Sequence, residues 1–108
     1  MTLAQEFSIG FRRTEGAVVV DVAGELDAYT APVLRDRLLD VIEGQGNRFV
    51  AVDLGAVGFI DSTAVHVLVQ SLRLTRERGG DLMLARVPPP AQRVLDICGL
   101  AKIFTITA

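Results

Sequence analysis

The sequence predicts an α/β protein built on a mostly parallel sheet of four to five strands, with an antiparallel hairpin strand at its start and three to four covering helices. Three observations carry that prediction. Short Val-, Leu- and Ile-rich runs of strand length alternate with segments whose apolar residues recur at i, i+3, i+4 and i+7. After an opening pair of strands the order reads β-α-β-α-β-α-β, which demands crossovers between parallel strands, and such crossovers are right-handed. The 108 residues, half of them hydrophobic, suffice for one core but not for two, so residues 1–108 are expected to form a single domain.

Phe7, Ile9 and Phe11 alternate with Ser8, Gly10 and Arg12, the period of a strand with one buried and one solvated face. Arg13-Thr14-Glu15-Gly16 reads as a hairpin turn into a denser, interior strand over Ala17 to Ala23. Gly24 to Tyr29 reads as a loop. Thr30 then offers an N-cap, Pro32 suits a first turn, and Leu34, Leu38, Val41 and Ile42 mark an amphipathic helix closed by Gly44-Gln45-Gly46. Phe49 to Leu54 is a third strand. A second helix, with Val65, Leu68, Val69 and Leu72 on its core stripe, runs to about Arg78, where Gly79-Gly80 stops it. Leu82 to Ala85 is a fourth strand, and Pro88-Pro89-Pro90 leads into a helix carrying Ala91, Val94, Leu95 and Cys98. Gly99 ends that helix, and Ile103 to Ile106 forms a short last strand.

Composition removes several function classes. The net charge is −2, from 11 basic and 13 acidic residues, with no polybasic block, which speaks against binding nucleic acid or an anionic membrane. No run of about 18 apolar residues offers a membrane span, and Met1 to Glu6 lacks the basic and apolar regions of a signal peptide, so a cytoplasmic location is expected. A single cysteine, Cys98, and a single histidine, His66, leave no internal disulfide and no Cys- or His-rich metal site. A small-ligand or nucleotide sensor is a further reading that no Gly-rich phosphate loop supports, and no cofactor is expected.

The chemistry gathers in Val57-Gly58-Phe59-Ile60-Asp61-Ser62-Thr63, where an apolar run meets an acid and two hydroxyls and helical periodicity begins. Asp61 or Ser62 can cap that helix. The first N–H groups of a helix lack intrahelical partners, and its dipole is positive there, so a phosphate on Ser62 would be well placed. It would add about −1.5 to −2 charges and three acceptor oxygens beside Asp61. Functional groups of parallel sheets collect at the carboxyl ends of the strands, which is expected to bring Asp27, Asp61 and Ser62 to one edge.

These residues carry a resemblance. Gly24-Glu25-Leu26-Asp27 with Thr30, Phe59-Ile60-Asp61-Ser62-Thr63, Gly79-Gly80, and Asp96-Ile97-Cys98-Gly99-Leu100 with Lys102-Ile103-Phe104 resemble, in this order, stretches of the STAS (sulfate transporter and anti-sigma antagonist) family. They are most similar to its phosphorylatable anti-sigma factor antagonists. The resemblance implies the STAS fold and a role as a protein-binding switch rather than an enzyme. It implies that the unphosphorylated chain binds an anti-sigma factor that is also a serine kinase, freeing the sigma factor. Phosphorylation of Ser62 would dissolve that complex, and a PP2C-type phosphatase would reset it. The family usually continues with Gly-Leu-Gly, where this chain has Ala64-Val65-His66. The rival reading is a STAS module that is not phosphorylated and scaffolds a signalling, transport or lipid-trafficking complex.

Individual residues admit two readings each. Asp27 and Asp61 are assigned recognition and capping roles, because two acids without further ligands do not make a metal site. Thr63, Val67, Gln70 and Leu74 form a line off the core stripe of the second helix: a partner-binding strip, or side chains packed under a neighbouring helix. His66, one turn beyond Ser62, can reach back to a phosphate there or simply face solvent. Ser62, His66 and an acid do not make a hydrolase site, lacking a Gly-x-Ser-x-Gly elbow, and no residue is assigned a catalytic role. Asp53 is expected to be satisfied by loop N–H groups, and Cys98 to be a small core residue.

Overall fold

The computed structural model describes residues 6–44 and 48–107. Met1 to Gln5, read above as lacking a signal sequence, and Gln45-Gly46, read as closing the first helix, lie outside them. The sheet grows from the Val-rich alternation. In β2 (Ala17–Leu26), Val18, Val20, Val22 and Leu26 are buried, while Val19, Asp21 and Ala23 on the opposite side remain partly exposed. Antiparallel β1 (Ser8–Thr14) flanks it on one side and parallel β3 (Phe49–Ile60) on the other. Next come β4 (Asp81–Ala85) and β5 (Thr105–Thr107), so the spatial order is β1-β2-β3-β4-β5.

Each parallel strand adds on the same side of its predecessor. Right-handed crossovers therefore carry α1 (Ala31–Glu43), α2 (Ser62–Glu77) and α3 (Pro89–Ile97) over one face. Leu34, Leu38 and Ile42 of α1, Leu68 and Leu72 of α2, and Leu95 of α3 pack there with Val20, Val50, Val52 and Leu84. Each fully buried aliphatic side chain contributes about 1.5–3 kcal/mol through lost apolar hydration. The other face, where Val19, Asp21, Ala51, Asp53 and Met83 align in register, carries no helix among the described residues.

Two glycines hold the frame together. Gly24 has φ +102°, and a Cβ there would lie 2.8 Å from the Phe7 Cα, so only glycine lets the chain before β1 run this close beside β2. At Gly80 a Cβ would lie 1.6 Å from the Arg48 carbonyl oxygen, which accepts the Asp81 N–H at 3.0 Å and aligns the starts of β3 and β4.

Several boundaries differ from the sequence expectation. The third strand does not stop at Leu54 but continues to Ile60, because Gly55 and Gly58 fall at register shifts against β2 and act as bulges rather than terminators. β2 likewise absorbs Gly24-Glu25-Leu26 from the expected loop. The first hairpin turns on Glu15-Gly16 alone, with Thr14 paired to Ala17, and Phe11 on the edge strand stays 44% exposed. Residues Ala101–Ile103 wind into a 3-10 turn, so β5 starts at Thr105 rather than Ile103. Cys98 is exposed rather than in the core, because α3 ends at Ile97 and the chain turns away at Gly99, φ +70°.

Candidate functional site

Register brings the predicted acids together. Leu26 and Ile60 are partners at the carboxyl ends of β2 and β3, and the Asp61 N–H donates to the Leu26 carbonyl at 3.0 Å. Asp27 and Asp61, each one residue farther on, thus share an edge with the start of α2.

At that edge the capping duty falls to Asp61. Its backbone is extended (φ −115°, ψ 179°), and its carboxylate accepts the Ala64 N–H at 3.2 Å. Ser62 is the first residue of α2, and it and Thr63 are exposed, their hydroxyls without a hydrogen-bond partner among the described residues. The hydroxyl of Ser62 is therefore unspent, at the positive end of a 16-residue helix.

Asp27 organises the neighbouring loop. Its Oδ1 accepts the N–H groups of Tyr29 at 2.9 Å and Thr30 at 3.1 Å, and its own N–H donates to the Thr30 hydroxyl at 2.9 Å. The Thr30 hydroxyl in turn donates to the Glu25 carbonyl at 2.7 Å, so it ties the loop and does not cap α1 as expected. The N–H of Thr30 and then that of Tyr29 hold the Asp27 carboxyl below the usual carboxylate range.

The predicted strip on α2 separates into two parts. Val67 is 7% exposed and belongs to the core, the packed reading of that position and not the exposed strip, because that side of α2 packs against α1. Leu74 is half-buried, and Gln70 and Thr63 are exposed. The outward ridge instead runs through Ser62, His66, Gln70 and Arg73. His66 is exposed and its Nε2 lies 3.3 Å from the Gln70 side-chain nitrogen, which places the ring toward the following turn and not at the Ser62 hydroxyl.

Sequence reasoning missed two exposed aromatics at this edge: Tyr29, 89% exposed in the Asp27 loop, and Phe59, 48% exposed and paired with Glu25. Phe59 sits in an apolar run that reads as buried, and only the bulge at Gly58 turns it outward. It also missed an ion-pair cluster on the open face. Asp53, 7% exposed, accepts the Gly55 N–H at 2.9 Å, as a loop-like N–H was expected to supply. Its main partner is the Arg86 guanidinium, whose Nε is 2.9 Å from Oδ2; Arg12 approaches at 3.8 Å while pairing with Asp21. Arg12 holds the Asp21 carboxyl down, and Asp53 raises the Arg86 guanidinium. Arg86 adopts φ 50°, and a Cβ on Gly55 would meet its guanidinium at 2.7 Å.

Among the described residues no helix is long and apolar enough to cross a membrane. Comparison with known proteins agrees with this geometry. The anti-sigma-B factor antagonist of Bacillus subtilis (strain 168) is 33% identical over 101 residues, which is 94% of this chain and 91% of that protein. The crystal structure of an anti-sigma factor antagonist from Mycobacterium paratuberculosis superposes with a TM-score of 0.81 at 26% identity, covering 94% of this chain and 86% of the other. The Bacillus cell fate determinant SpoIIAA, in its phosphorylated form, shares the fold at a TM-score of 0.72 and 21% identity, over 95% of this chain and 91% of its own. The STAS domain model matches residues 8–108, and with that span and those relatives the chain belongs to the STAS domain family.

Proposed function

We propose that this chain is an anti-sigma factor antagonist of the cytoplasm, a protein-binding switch and not an enzyme. Unphosphorylated, it binds an anti-sigma factor with serine kinase activity and so releases the sigma factor; phosphorylation of Ser62 ends that binding. The observation that carries the reading is the free, exposed Ser62 hydroxyl at the start of α2, with capping left to Asp61. Names of relatives support the class: the proteins from Bacillus subtilis and Mycobacterium paratuberculosis are both antagonists.

The physical sequence is short. The kinase transfers the γ-phosphoryl of ATP to Ser62 Oγ, forming the O–P bond as the bond to the β-phosphate oxygen breaks, with the hydroxyl proton taken by the kinase's base. The new dianion meets the unpaired N–H groups and positive dipole of α2, so the fold tolerates it. The surface does not. Two carboxylates, Asp27 and Asp61, already flank the position, and a partner matched to that charge now meets nearly twice as much. Thr63, Gln70 and Leu74 extend the contact along α2. His66 leaves Gln70 and pairs with phospho-Ser62 when protonated. A PP2C-type phosphatase hydrolyses the ester and restores the hydroxyl.

Intact-mass analysis of the chain from its own cells, before and after PP2C-type phosphatase treatment, tests the switch. The expected result is one removable phosphate, absent from the Ser62→Ala variant. A chain that is never modified under any growth condition, yet binds its partner, would remove the phosphorylation step.

A further inference from the structure

Between α1 and α2 lies a groove of about 360 Å³, lined by Arg35 and Leu39 from one helix and by Gln70, Arg73, Leu74 and Glu77 from the other. Its apolar lining is the half-buried pair Leu39 and Leu74. Arg35 and Arg73 are exposed, and neither has a hydrogen-bond or ion-pair partner among the described residues. Three other guanidinium groups are paired within the chain, Arg12 with Asp21, Arg76 with Asp81 and Arg86 with Asp53. In the groove two cations face a single anion, Glu77, in a protein whose net charge is −2.

We infer that this groove receives an acidic amphipathic helix of the anti-sigma factor, with carboxylates on Arg35 and Arg73 and apolar side chains on Leu39 and Leu74. This rests on the antagonist reading and adds to it the chemistry of the partner's contact. Bidentate guanidinium–carboxylate pairs over an apolar floor are a recurrent way of seating a helix in a groove with a fixed register. Glu77, on the same turn-spaced line as Arg73, sets direction by repelling the acidic end. Gln70 belongs to both the groove lining and the exposed ridge that begins at Ser62, through its contact with His66. The groove is thus continuous with the switch, and one partner can sense both.

The test uses the full chain and, as probe, the purified anti-sigma factor that the wild-type chain binds, with calorimetric titration at low and high salt. The double variant Arg35→Glu/Arg73→Glu is expected to bind at least about tenfold more weakly at low salt and to lose most of the salt dependence, while Arg35→Lys/Arg73→Lys, which keeps the charge but not the bidentate fork, keeps the salt dependence and binds between wild type and the reversed variant. Both positions are on the surface, and an unchanged melting temperature verifies the fold. Binding of the reversed variant within twofold of wild type overturns the groove. If Ser62→Asp abolishes binding at the same time, the antagonist reading stands without it. A wild-type chain that binds no anti-sigma factor overturns both.

Discussion

Asp53 and Asp61 bracket the second half of β3, and their carboxylates are used in opposite ways. On the open face, Asp53 is enclosed by the Gly55 N–H, the Arg86 guanidinium and, farther off, Arg12. That cluster ties β3 to the segment after β4 and to the edge strand, and its charges cancel within the molecule. At the carboxyl edge, Asp61 and Asp27 accept only from uncharged donors, backbone N–H groups and the Thr30 hydroxyl. No cation of the chain pairs with either among the described residues, and Ser62 beside them holds its hydroxyl in reserve. Charge matched internally stabilises a fold; charge satisfied by uncharged donors alone remains available to a partner.

This contrast separates binding from stability and can be broken in graded steps. Ser62→Asp should weaken binding to the anti-sigma factor by roughly a hundredfold or more, since charge added to a desolvated contact costs several kcal/mol, with little change in melting temperature; calorimetry of folding and binding on one sample reads both. Asp53→Ala should do the reverse. Removing its carboxylate takes the partner from the Gly55 N–H and from the exposed Arg86 guanidinium and unties β3 from the segment after β4, so the melting temperature should fall with partner affinity unchanged below the transition. Asp61→Ala should lose about 1 kcal/mol of cap energy, whereas Asp61→Asn keeps the cap. If Asp61→Asn nonetheless weakens partner binding, its charge serves recognition.

The smallest effect is in acid. The Asp27 carboxyl titrates below its unfolded value, so the unfolded chain binds more protons as pH falls through the ordinary carboxylate range near about 4. Its stabilising contribution is fully present above that range and is lost as pH drops through the folded value. Urea midpoints between about pH 6 and 3 should fall more for wild type than for Asp27→Asn. Asp21 shifts in the same direction through Arg12, an exposed pair that salt screens. Raising the ionic strength should therefore erase the Asp21 contribution and leave that of Asp27.

The element order and the edge that holds Asp27, Asp61 and Ser62 were legible because their signals are local. Periodicity places α2, three consecutive residues mark its start, and the β-α-β order alone brings Asp27 beside Asp61. What escaped depends on distance in the chain. The Asp53–Arg86 pair joins residues on different strands, and no pattern links them. Val67 sits on the side of α2 that looks polar by its neighbours Thr63 and Gln70, but only the packing of α1 decides that it is buried. Gly55 and Gly58 carry the same letter as a strand terminator, and their role as bulges follows from a partner strand the local sequence does not contain. Tyr29 and Phe59 were overlooked because exposure of an aromatic follows from a bulge or a loop closure, not from its type.

The sheet order has one further consequence. Since β1 to β5 lie side by side in the sequence in which they are synthesised, no strand has to be inserted between two already paired. Every parallel pairing closes only the span of one intervening helix, which keeps loop-closure entropy low at each stage. The β2–α1–β3 unit can dock while later residues are still emerging from the ribosome, and each new helix–strand pair extends an existing edge. The topology therefore suits folding that proceeds in the order of synthesis, each strand meeting an edge already in place.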